Sequence, residues 1–245
     1  INETDLTVGF YGNAELTIQA GGRVDSGDSA WISKQAGSTS SVSVNSAGST
    51  WTAKHDMFIG YGGDGALDIA SGGVVTNEYV GGSGWGTYLG YEDGSTGKVT
   101  VSGMGSAFIN KGALVVGREF YMGNPYNPYG HGTGILNIED GGLVEAKNLI
   151  VDDNYGTING NGGTLRINGG QIFGAPDLSG LNLEFVNGAT TSFTNFTLTD
   201  SLNVSSGSVV SVANVLEIDV AGVLSGNGVL SGNVLNGGTI GPGNS

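Results

Sequence analysis

Phe58-Ile59-Gly60-Tyr61-Gly62-Gly63-Asp64-Gly65-Ala66-Leu67-Asp68-Ile69-Ala70-Ser71-Gly72-Gly73-Val74 holds one full unit of a repeat. Leu67-Asp68-Ile69 alternates apolar, polar, apolar, the mark of a short half-buried strand. Gly72-Gly73 then supplies the positive φ of a tight corner, and Val74 opens the next apolar position. Phe58-Ile59-Gly60 is a second strand type that precedes the first. The unit therefore reads strand, glycine-rich turn, strand, glycine pair, strand.

The same triplet recurs on both sides: Leu16-Thr17-Ile18, Val42-Ser43-Val44, Val99-Thr100-Val101, Leu136-Asn137-Ile138 and Leu165-Arg166-Ile167. Counting Leu67, the first positions are 26, 25, 32, 37 and 29 residues apart, a loose but recurrent period. Glycine pairs follow at Gly21-Gly22, Gly141-Gly142 and Gly169-Gly170. The second strand type returns in Leu6-Thr7-Val8-Gly9, Tyr88-Leu89-Gly90 and Leu114-Val115-Val116-Gly117. Ala47-Gly48-Ser49-Thr50-Trp51 is a variant corner echoed by Gly103-Met104-Gly105-Ser106-Ala107-Phe108, with Phe108 in the place of Trp51. No stretch shows helical apolar spacing free of glycine. Short strands, corners rich in Gly, Asn, Ser and Asp, and this period predict an all-β parallel β-helix or related solenoid, in which like residues stack coil upon coil. A sandwich, with its longer hairpin strands, does not return like residues to like places.

Composition agrees. Of 245 residues 48 are glycine, only 4 are proline, and 38% are hydrophobic, which excludes collagen and argues against a disordered chain. Eight Lys and Arg against 22 Asp and Glu give a net charge of −14, and no basic residue follows Arg166. Nucleic acid and anionic membrane surfaces are thereby disfavoured as partners, and cations or neutral sugars favoured. The absence of cysteine removes disulfides and thiolate chemistry. No run approaches the roughly 20 apolar residues of a membrane helix, so no direct membrane insertion is expected. Ile1 follows no basic and apolar leader, so a targeting peptide is expected to have been removed or left out.

Residues 1–177 read as irregular glycine-rich coils, and residues 178–245 as a continuation of the same solenoid in another dialect, with Ala175-Pro176-Asp177 marking a change of register. The continuation holds Leu181-Asn182-Leu183-Glu184-Phe185, Leu202-Asn203-Val204 and Leu216-Glu217-Ile218. No Pro-, Ser- or charge-rich linker separates the two.

The segments 60–74 and 90–101, the Gly48-Ser49-Thr50-Trp51 corner, and the closing Gly226-Asn227-Gly228 and Gly241-Pro242-Gly243-Asn244-Ser245 resemble the repeat of autotransporter (type V secretion) passengers and PEP-CTERM surface proteins. The resemblance covers most of the chain. It implies a right-handed parallel β-helix, export from a bacterium, and a secreted or cell-surface location with adhesive, matrix or biofilm roles. Two departures stand out within residues 1–245, which hold neither a translocator barrel nor a Pro-Glu-Pro motif with an apolar helix.

Catalysis is not expected. Asp152-Asp153, Gly130-His131-Gly132 and Arg166 resemble the carboxylates, histidine and arginine of polygalacturonase-like hydrolases, but in the wrong order, and the Asn-Thr-Asp strand of those enzymes is absent. A lyase would use Arg118, Lys147 or Arg166 beside Glu139, Asp140, Asp152 and Asp153, which the repeats scatter. Polysaccharide hydrolysis or elimination thus stands as the enzymatic alternative. The ligand-binding candidates are the aromatic insertion 118–133, with Tyr121, Tyr126 and Tyr129, and a second cluster with Trp85 and Tyr88. Trp31 and Trp51 are expected to pack inside the repeat. Asp64 and Asp93, in glycine-aspartate turns, are the candidate ligands of an optional calcium ion, and no cofactor is required. Self-association or an extracellular polysaccharide is the expected partner.

Overall fold

The computed structural model describes residues 4–79, 86–117 and 131–243, and these form an all-β structure without helix. None of its elements is a helix long and apolar enough to cross a membrane. Among the described residues every pair of strands is parallel, which requires the chain to return to the same side before each new strand is laid down. Among the described residues three sheets result. The first begins with strand Leu6–Val8 and ends with Thr239–Pro242, the second is six-stranded and runs from Glu15–Ile18 to Gly156–Asn161, and the third is built on Val209–Ile218.

Period-2 alternation decides what faces inward. In the second sheet Leu16, Val42, Leu67, Val99, Leu136 and Ile158 occupy one in-register column. In the first sheet Val8, Ile32, Ile59, Leu89, Val116 and Val151 form another. A third runs from Val24 through Trp51, Val75, Phe108, Val144 and Leu165. Phe108 thus shares the Trp51 column, as expected. These columns close one continuous apolar core, and each fully buried Leu, Ile or Val contributes about 1.5–3 kcal/mol. Some of the buried polar groups are paired: Trp51 Nε1 donates to Ser26 Oγ at 3.1 Å, and Asn77 Nδ2 donates to Thr87 Oγ1 at 3.1 Å, whereas Asn110 Nδ2, Thr191 Oγ1 and Ser208 Oγ are buried without a partner.

Corners are set by close approach between tiers. Gly60, Gly90 and Gly117 have φ of 69°, 71° and 71°, and a Cβ at any of them would run into the backbone of the neighbouring tier. Ser33 holds the equivalent corner at φ 56°, and its hydroxyl donates to the Asp64 carbonyl at 2.6 Å.

The structure corrects one strand assignment. Leu165-Arg166-Ile167 does not stack on Leu136-Asn137-Ile138 but lies in the first sheet, with Leu165 opposite Val144. The true successor of Leu136 is Ile158, flanked by Thr157 and Asn159 and followed by Gly160 where the triplet pattern asks for an apolar residue. The corner that stacks on Gly141 is correspondingly Gly162, whose carbonyl accepts from the Gly141 N–H at 3.0 Å, and not Gly169-Gly170. After Gly156–Asn161 the second sheet stops, while the first continues through Leu181–Val186 and Ser201–Val204.

Candidate functional site

Three outward features carry the candidate chemistry. The first follows from register alone. On the outer face of the first sheet Trp31, Phe58 and Tyr88 occupy one row. Parallel tiers about 4.8 Å apart suit ring stacking. Trp31 and Phe58 have centroids 4.2 Å apart with planes at 15°, and Phe58 and Tyr88 are 5.2 Å apart at 7°. Tyr61 and Tyr91, one corner further on, form a second stack at 4.8 Å and meet Phe58 edge-on. Lys34 Nζ sits 3.9 Å from the Trp31 centroid at the end of the row, a cation–π contact.

Trp31 was expected inside the repeat with Trp51, and the structure places it outside. Ala30 and Ile32 take the inward positions, so alternation turns the residue between them outward. The Trp31 Nε1 is buried without a hydrogen-bond partner. Tyr88 is 9% exposed and Phe58 6%, because the rings spend their faces and edges on one another. Tyr88 is therefore a member of a packed stack. Trp85, Tyr121, Tyr126 and Tyr129 lie outside the described residues. Phe10 and Tyr11, in edge-to-face contact and 42% and 81% exposed, are open aromatics that the sequence reading passed over.

The second feature is a charged row. Glu145, Arg166 and Glu184 are paired in register across three tiers. Arg166 donates to Glu184 at 2.6 Å and to Glu145 at 3.2 Å. Partial burial pulls the Arg166 pKa down, but its hydrogen bonds to Glu184 and Glu145 and the charges of those carboxylates outweigh it and hold the guanidinium above its ordinary value. Arg166 is committed to this row, whereas Asp152 follows the far end of strand Leu143–Val151, so the hydrolase-like set is divided between them. His131 stacks on Tyr155 at 4.8 Å.

The third is a cleft of about 410 Å³ where the second sheet stops. Asp152, Asp153, Ile158, Pro176 and Asp177 are among its lining residues. Asp152 Oδ1 accepts from the N–H groups of Asn154 and Tyr155, both at 2.9 Å, which makes 152–155 a turn. Asp153 Oδ1 accepts from Ala175 N–H at 3.1 Å, so two stretches read separately in the sequence become neighbours. The Ser179 N–H holds the Asp177 carboxyl below its ordinary value.

Asp64 and Asp93 occupy different elements. Asp64 opens a strand opposite Thr96, while Asp93 lies in the turn before the Thr96–Ser102 strand of the next tier and accepts from His131 N–H at 3.4 Å. Among the described residues no group of three or more His, Asp and Glu converges as a metal ion would require. Comparison with protein-family models, with curated proteins and with solved structures returns no match to this chain.

Proposed function

We propose that the chain is a secreted or bacterial surface-displayed structural and adhesive module, its tiers being the coils of a right-handed parallel β-helix of the autotransporter and PEP-CTERM kind. The observation that carries this reading is the unbroken first sheet, in which outward side chains recur in register from tier to tier, as in Trp31, Phe58 and Tyr88 and in Glu145, Arg166 and Glu184. Such a lattice is rigid because each tier is hydrogen-bonded to the next, and its repetition suits many weak contacts made together. No catalysis is assigned to it. Its partners are an extracellular polysaccharide or further copies of itself, and the acidic surface admits calcium without requiring it.

The test is retention on a glycan array and on insoluble polysaccharides, with calcium and with chelator, beside negative-stain microscopy of the same samples. Retention or ordered assembly supports the reading. A protein that neither assembles nor holds any glycan contradicts it, and turnover of a polysaccharide that is lost on Asp152→Asn replaces it with the enzymatic alternative.

A further inference from the structure

The second sheet ends inside the molecule, and the edge it leaves is where the structure says most about a partner. Strand Gly156–Asn161 pairs only with Thr133–Glu139, and among the described residues no strand covers its other edge. The direction of its backbone groups follows from one hydrogen bond: Gly134 N–H donates to the Tyr155 carbonyl at 2.8 Å. In a strand the N–H and C=O of a residue point the same way and alternate along the chain. Thr157 and Asn159 therefore turn theirs to the neighbouring strand, and Ile158, between them, turns its N–H and C=O away.

That free side is not uniformly open. At the far end Gly162 N–H donates to the Gly180 carbonyl at 2.8 Å, and at the near end Gly156 N–H donates to the Asp152 carbonyl at 2.9 Å. Between these two closures lies the cleft, walled opposite by Ala175 and Pro176. No described residue hydrogen-bonds the Ile158 backbone across it. An unpaired edge is a template for another strand, and proteins usually cover or blunt it. Here Asp153 and Asp177 stand exposed at the cleft in a chain of net charge −14.

We propose that this cleft is a docking site for an extended peptide segment carrying a lysine or arginine, which adds to the Ile158 edge as a further strand. Ile158 alone provides two bonds, its N–H donating to one peptide carbonyl and its C=O accepting from one peptide N–H. Asp153 and Asp177 complement the basic side chain. The cleft offers backbone groups and carboxylates but no aromatic face among its lining residues, which suits a peptide rather than a sugar ring. The inference is independent of the adhesive reading, since it rests on one edge and not on the repeated rows.

The experiment uses fluorescein-labelled acetyl-Thr-Val-Lys-Val-Thr-amide, read by fluorescence anisotropy and by amide shifts of the isotope-labelled protein. Saturable binding is expected, with shifts at Thr157, Ile158 and Asn159. A peptide N-methylated along its backbone should bind about tenfold more weakly, and one with glutamine for lysine about fivefold more weakly. Asp153→Asn with Asp177→Asn should weaken the lysine peptide about fivefold and leave the glutamine peptide unchanged. Because Asp153 also holds Ala175 N–H, the peptide series decides the matter if that variant does not fold. Absence of saturable binding, or equal binding of the N-methylated peptide, overturns the proposal. So does a neutral cello-oligosaccharide that shifts the same amides when the peptide does not.

Discussion

Phe58 lies parallel to Trp31 across adjacent tiers, its ring centroid 4.2 Å from the indole. Both side chains project from the outer face of the sheet, yet Phe58 is 6% exposed. An outward position has become a second, smaller core, joined by Tyr88, Ala113 and Val115.

Phe58→Ala should therefore behave as a core truncation and cost about 3–5 kcal/mol. Phe58→Leu, which keeps apolar volume but not the stacking, should lose less. Equilibrium urea denaturation checks both. A loss under about 0.5 kcal/mol for the alanine variant, the range of an ordinary surface change, would show that the row does not pack as described.

Two glycines of similar φ separate conformation from contact. Gly94 has φ 75° with nothing within reach of a Cβ, whereas Gly90 at φ 71° faces the Gly132 and Thr133 backbone of the next tier. Gly94→Ala should cost about 1–2 kcal/mol for the left-handed conformation alone. Gly90→Ala should cost clearly more, or prevent folding, because the obstructing atoms are backbone. Equal losses in thermal or urea melts would contradict the tier spacing.

The charged row should be cooperative. Arg166→Met leaves Glu145 and Glu184 without their shared partner, and at these partly exposed positions the loss should be about 1 kcal/mol at low ionic strength, shrinking as salt is added. In a Glu184→Gln background the same substitution should cost less. A double-mutant cycle with no coupling would show the row to be decorative.

Asp56 makes a contribution to pH dependence whose sign can be worked out. Burial raises its pKa above the ordinary 3.8, although its carboxylate accepts from Gly86 N–H at 2.9 Å. An acid whose folded pKa is raised favours the folded state in its protonated form, so its contribution is fully present below the unfolded value and lost as pH rises through the folded one. Asp56→Asn keeps an acceptor for Gly86 and removes the charge. The variant should be more stable than the parent at pH 7, and the difference should vanish below the unfolded pKa. Stability curves against pH measure this directly, and a variant less stable at neutral pH contradicts it.

Alternation made the inward columns legible, because Leu16, Val42, Leu67, Val99 and Leu136 are each followed by a polar residue and then by a second apolar one, in strands of one register. It failed at Leu165, where the triplet is genuine but belongs to another sheet. Ile158 carries the column with polar residues and glycine around it, so local pattern alone points to the wrong strand. Trp31, Phe58 and Tyr88 are spaced unevenly along the chain, and their row exists only once register is known. Ser33 hides its corner because a serine takes the positive φ that glycine announces elsewhere. The cleft was half visible: Asp152-Asp153 and Ala175-Pro176-Asp177 stood out singly, and only the tier-to-tier bond from Ala175 N–H to Asp153 joins them.

The most direct test of self-assembly, the structural half of the reading, is the weight-average mass of the protein by light scattering over a dilution series, in calcium and in chelator. The account predicts a mass that climbs above the 24.7 kDa of a single chain as concentration rises, with growth into ordered assemblies. A mass fixed at 24.7 kDa at every concentration and in both buffers would contradict self-assembly as the basis of its function.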